Sequence, residues 1–178
     1  MNEAETVRLT VPINERDHII GPADATVTVV KYGDYECPAC YRTHRVIKKM
    51  TGELLDRVRL VYRHFPLVNV HPHALRAAEA AEAAAAQGKF WEMNDLLYLN
   101  PGELEDNGLR KYAKKVGLNM ERFEHDMASG VYADQILKDR YFSMNHGITG
   151  TPTFFVNDLL YPMSGMTLVE AVKALAEG

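Results

Sequence analysis

Apolar and polar positions along this chain change period twice, from two to near 3.6 and back, and those changes predict the order of its elements. Residues 27–32 (Val-Thr-Val-Val-Lys-Tyr), 58–64 and 153–156 are short runs rich in β-branched and aromatic side chains, and each predicts a strand. A helix over 38–55 separates the first two, so the pair predicts a right-handed βαβ crossover with parallel strands. After Phe65-Pro66 the pattern is helical only, with segments at 74–86, 89–99, 103–116, 120–128 and 131–146 divided by Gly88, Asn100-Pro101-Gly102, Gly117, Gly130 and Gly147. The chain then returns to strand, turns near Asn157-Asp158, forms a short strand over 160–163, and opens a last helix with Thr167 and Glu170 as a capping box. The fold class expected is α/β. Both ends, 17–66 and 147–178, build the sheet, and 67–146 is an all-helical insertion.

Composition narrows the function classes. With 178 residues, 47% hydrophobic and 25% charged, the chain has enough apolar surface for one good core and not for two large ones. A net charge of -4 with dispersed basic residues carries no signature of a nucleic-acid partner. No apolar stretch approaches the length of a membrane span, so no membrane insertion is expected. Residues 1–17 are polar, without a basic start followed by an apolar core, so no export signal is expected and the expected location is cytoplasmic. Had an export signal been exchanged for the starting Met, the location would be extracytoplasmic.

The candidate chemistry lies in Cys37-Pro38-Ala39-Cys40, the two cysteines of the chain, directly after the first strand and the turn Gly33-Asp34-Tyr35-Glu36. A disulfide closing so short a loop stabilises little, about 2 kcal/mol or less, so its use is redox chemistry before stapling. Cys37 falls at the N-cap of the predicted helix, with Pro38 at the first helical position. There, at an exposed helix start, unpaired amides and the positive end of the helix dipole favour a thiolate, which makes Cys37 the expected nucleophile. Cys40, one turn on and on the same face, is the expected resolving thiol, and neither metal nor organic cofactor is required. Two bland readings stay open: half a zinc site completed by His71 and His73, whose other ligand spacings are missing, and an inert buried pair. Glu36 is expected to be an exposed, screened carboxylate.

Four segments together resemble the DsbA-like thiol:disulfide oxidoreductases of the thioredoxin superfamily. They are Tyr32-Gly-Asp-Tyr-Glu-Cys-Pro-Ala-Cys40, Arg63-His-Phe-Pro-Leu67, Gln87-Gly-Lys-Phe-Trp-Glu-Met-Asn-Asp-Leu-Leu97 and Gly150-Thr-Pro-Thr-Phe-Phe155, in family order. The resemblance implies a thioredoxin fold with an inserted all-helical domain, an exposed nucleophile at Cys37, a buried resolving thiol at Cys40, and a cis-proline at Pro152. In such a loop Thr151 and Pro152 would offer backbone groups to an extended substrate strand. The partners implied are protein or peptide thiols and disulfides, and a redox partner that recycles the pair. Ala39 departs from the histidine of strongly oxidising relatives, which predicts a milder oxidant or a reductant. Lys31 stands where many relatives have a buried glutamate, and a nearby cation would lower the Cys37 pKa. Pro38, Ala39 and Lys31 are therefore the expected modulating residues. The reading from a different class is a non-catalytic thioredoxin-like module that binds extended peptides or senses redox state.

Overall fold

The structure, a computed structural model, describes residues 7–54, 56–162 and 167–177. Its described elements run β1 (His18–Ile20), β2 (Val27–Gly33), α1 (Pro38–Glu53), β3 (Val58–His64), α2 (Ala74–Ala85), α3 (Phe90–Leu99), α4 (Asp106–Val116), α5 (Met120–Ser129), α6 (Ala133–Asn145), β4 (Thr153–Val156), β5 (Leu159–Leu160) and α7 (Leu168–Glu177). The fold is of the expected α/β class, a thioredoxin-like fold with a mixed sheet. Sheet order is β1-β3-β2-β4-β5. The pairs β1–β3, β2–β4 and β4–β5 are antiparallel, which leaves β2–β3 as the parallel pair of the mixed sheet. β2 is a near-continuous buried run, with Val27, Val29, Val30 and Tyr32 at most 1% exposed, as a strand covered on both faces must be.

Two compact units emerge from the contacts. The first holds the sheet, the larger part of α1, and α7. Within it the register sets Tyr32 opposite Thr153 and Val29 opposite Val156. Asn157 and Asp158 both have positive φ, 46° and 67°, the backbone that a two-residue hairpin between twisted strands requires. The Asn157 side chain fastens this turn by accepting from the Thr28 amide at 2.8 Å. At α7 the Thr167 hydroxyl and amide both donate to the Glu170 carboxylate, at 2.7 and 2.8 Å, and these bonds hold that carboxyl below its usual range.

The strand β1 is not anticipated by the sequence pattern. Three residues show no period, and this strand exists by pairing, with His18 opposite Tyr62 and Ile20 opposite Leu60. Gly21 ends it at φ 104°, where an added Cβ would collide with the Val58 carbonyl oxygen. Gly21→Ala is therefore expected to destabilise the fold by about 1–3 kcal/mol, read as a lower urea midpoint with unchanged slope. The predicted strand over 160–163 is shorter, ending at Leu160, and Met163 lies outside the described residues. α1 stops at Glu53, with Leu55 also outside them, and α4 starts at Asp106, three residues later than 103.

The second unit comprises Gly33–Arg42 and His64–Thr151, so the segment carrying the cysteine pair groups with the helices. At its centre α2 packs against α3, α4, α5 and α6. Alanine allows this closeness: Ala77, Ala78, Ala80, Ala81, Ala83 and Ala84 are at most 1% exposed. Asn119 caps α5 by accepting from the Arg122 amide at 2.9 Å, and the Gln87 side chain accepts from the Asn119 amide at 2.7 Å.

Candidate active site

β2 delivers the chain to Gly33, and Asp34 turns it toward the cysteines. The Asp34 carbonyl accepts from the Cys37 amide at 3.3 Å, and its Oδ1 accepts from the Glu36 amide at 2.8 Å. The Cys37 carbonyl takes the first helical hydrogen bond, from the Tyr41 amide at 3.1 Å, so Cys37 is the N-cap of α1 and Pro38 its first residue. Cys37 is not the exposed cap expected from the sequence. It is 6% exposed and Cys40 is 0% exposed, while Pro38 faces solvent. Thr151, at the end of the same unit, approaches Cys37: its carbonyl oxygen accepts from the Cys37 sulfur at 3.4 Å.

Local electrostatics favour a thiolate at Cys37. Its pKa falls from 9.0 to about 5, chiefly because the Cys40 thiol donates a hydrogen bond to it. Burial opposes the shift, and the Cys40 and Ala39 amides add to the lowering. The amides are the unsatisfied donors of a helix N-terminus put to use. Lys31 is 1% exposed within β2, with its ammonium 5.8 Å from the centre of the Tyr62 ring. Thr151 is thus brought to the sulfur, and Pro152 follows it as the residue directly before β4.

Five residues around the cysteines make contacts that the sequence does not announce. The Asp34 side chain is 0% exposed, and its Oδ2 accepts from the Leu67 amide and from His71 Nδ1, both at 2.8 Å. Glu36 is not an exposed, screened carboxylate: its side chain is 21% exposed and binds the His73 amide at 2.7 Å and His73 Nδ1 at 3.0 Å. His71 and His73 are thereby engaged with carboxylates. Tyr35, between the two acids, is 1% exposed, donates its hydroxyl to Asn94 at 3.1 Å and stacks 4.7 Å from the Tyr98 ring. The spacing Asp34/Glu36 against His71/His73 was the available signal, but only tertiary structure brings the two segments together.

The thioredoxin-like fold thus carries a C-x-x-C pair at a helix N-terminus, with one thiol lowered in pKa to about 5. The chain belongs to the thioredoxin family whose model, Thioredoxin_4, described as "Thioredoxin", matches residues 13–174. Its structural neighbours are DsbA-like thiol-disulfide oxidoreductases. A thioredoxin-like oxidoreductase from Silicibacter pomeroyi superposes with a TM-score of 0.76 at 29% identity, covering 92% of each chain. Alpha-DsbA1 of Wolbachia pipientis, in a form with two cysteines replaced by alanine, gives 0.72 at 25% identity over 88% of this chain and 81% of that one. Among curated proteins, a stretch of a Na(+)/H(+) antiporter NhaA 1 from Salinispora arenicola is 45% identical over 169 residues, 94% of this chain and 26% of that protein. A Na(+)/H(+) antiporter NhaA 3 from Salinispora tropica matches at 45% over 152 residues, 85% of this chain and 23% of its own. The chain thus spans about a quarter of the length of the curated relatives it matches. Among the described residues no helix is long and apolar enough to cross a membrane.

Proposed function

We propose that this chain is a protein thiol:disulfide oxidoreductase acting on protein or peptide substrates through Cys37 and Cys40. The observation that carries this reading is the placement of Cys37 as the N-cap of α1 with Cys40 in the first helical turn, where the Cys40 thiol and the helix-start amides lower the Cys37 pKa to about 5. In the reducing direction the Cys37 thiolate attacks a substrate disulfide, forms a mixed disulfide and releases one substrate thiolate, which takes up a proton. Cys40 then loses its proton, attacks the Cys37 sulfur, and expels the second substrate thiolate. Two electrons pass to the substrate and the protein keeps the Cys37–Cys40 disulfide; the oxidising direction is the reverse. Thr151 and Pro152, the latter as a cis-proline, hold the substrate strand beside the Cys37 sulfur, which is supported by the 3.4 Å approach of the Thr151 carbonyl. Pro38 and Ala39 tune the pair from between the sulfurs.

A redox partner recycles the pair, and its compartment sets direction: reduction in a cytoplasmic setting, oxidation outside it. The antiporters carry their matching stretch within much longer chains; in this chain, thiol exchange is the activity that Cys37 and Cys40 support. Cys40→Ala is expected to accumulate a mixed disulfide at Cys37 with substrate, detected by mass as an adduct that dithiothreitol removes. Full peptide binding with no adduct would sink the enzyme reading in favour of a binding or redox-sensing module.

A further inference from the structure

Two carboxylates flank Tyr35 on the turn into Cys37, and two imidazoles flank Pro72 on the segment that leads into α2. They meet in order, Asp34 with His71 and Glu36 with His73, as two rungs between the segments. The inner rung is the demanding one. The Asp34 carboxylate is removed from water, and three N–H donors compensate it: the Glu36 amide on its own turn, and the Leu67 amide and His71 Nδ1 from the other segment. The same residue's carbonyl accepts from the Cys37 amide. A single residue therefore joins the cysteine turn to the segment after β3. The outer rung adds to this, since the Glu36 carboxylate also takes the His73 amide at the start of α2.

We propose that Asp34 and His71 are positioning residues for the thiol chemistry of Cys37, with Glu36 and His73 as a supporting pair. The inference rests on the reading that Cys37 is the nucleophile. The hydrogen bonds that stabilise its thiolate come from the Cys40 thiol and the first helical amides, and such bonds weaken steeply once distance and angle drift. Without the His71 donor, Asp34 is left buried and short of a partner, and the turn relaxes toward water to recover one. That relaxation moves the Cys37 amide with the Asp34 carbonyl, and the sulfur with it. His71 touches no reacting atom; it acts through Asp34.

The test is the ultraviolet titration of the Cys37 thiolate together with its alkylation rate by iodoacetamide, in reduced protein, with Cys37→Ser identifying the signal. His71→Ala is expected to raise the titration midpoint by about half a unit or more and to slow alkylation about threefold, measured one unit below the wild-type midpoint. In His71→Asn the amide Nδ2 replaces Nδ1 as donor to Asp34, and is expected to restore most of both. An unchanged midpoint in folded His71→Ala, or a folded Asn variant that rescues nothing, overturns the proposal. Should His71→Ala not fold, His73→Ala takes its place with a smaller upward shift expected, and no shift there overturns it equally. A wild-type Cys37 that titrates like an ordinary thiol overturns the nucleophile reading itself, and this proposal with it.

Discussion

Serine in place of Cys37 is expected to abolish disulfide exchange, with a loss in rate on the order of a thousandfold or more. The reason has two parts. A hydroxyl cannot form a mixed disulfide, and no other sulfur in the chain can take over: Cys40 is 0% exposed and is placed as the donor to Cys37 rather than as an attacking group open to a substrate. The fold should survive, because the structural bonds of residue 37 are made by its backbone, to the Asp34 carbonyl and from the Tyr41 amide. Turnover of a disulfide substrate, scored beside a far-ultraviolet spectrum and a melting curve, checks both parts. Wild-type turnover in a folded Cys37→Ser protein would remove Cys37 from the mechanism.

What the sequence makes legible follows from how local each feature is. The strands β2, β3 and β4 announce themselves by β-branched runs, the α7 cap by Thr167 and Glu170 three residues apart, and the α4 and α5 ends by Gly117 and Gly130, both left-handed in the structure. The Cys37 N-cap is equally local, since Pro38 marks the first turn. β1 is silent because three residues have no period and the strand is made by β3, over forty residues away in the chain (His18 pairs Tyr62). The contact of Cys37 with Thr151 and the engagement of Glu36 are silent for the same reason, since Thr151 and His73 arrive from distant segments. Lys31 reads from sequence as a cation near the sulfur; the largest lowering of the Cys37 pKa comes from the Cys40 thiol, within the C-x-x-C turn itself.

The reduction potential of the Cys37/Cys40 pair is expected at about -220 mV at pH 7, between a thioredoxin-type reductant and a strong oxidase. A thiol titrating at about 5 is nearly all thiolate at neutral pH. Relative to a thioredoxin nucleophile with pKa about 7, this stabilises the reduced form by about 2 kcal/mol, on the order of 50 mV above -270 mV for two electrons. Stability of the reduced protein moves with the same group. The folded pKa lies below the unfolded value, so the contribution is complete above about pH 8.5 and is lost as pH falls through about 5, with about 3 kcal/mol present at pH 7. The oxidised protein has no thiolate and lacks this dependence. Two measurements check the prediction together: the potential by glutathione titration, and its slope, which should steepen from about -30 to about -59 mV per pH unit below about pH 5, where reduction begins to take up a second proton. A pair found near about -270 mV with a single slope through pH 5 would mean that Cys37 titrates no lower than a thioredoxin nucleophile, and the pKa of about 5 would then have no part in setting the direction of exchange.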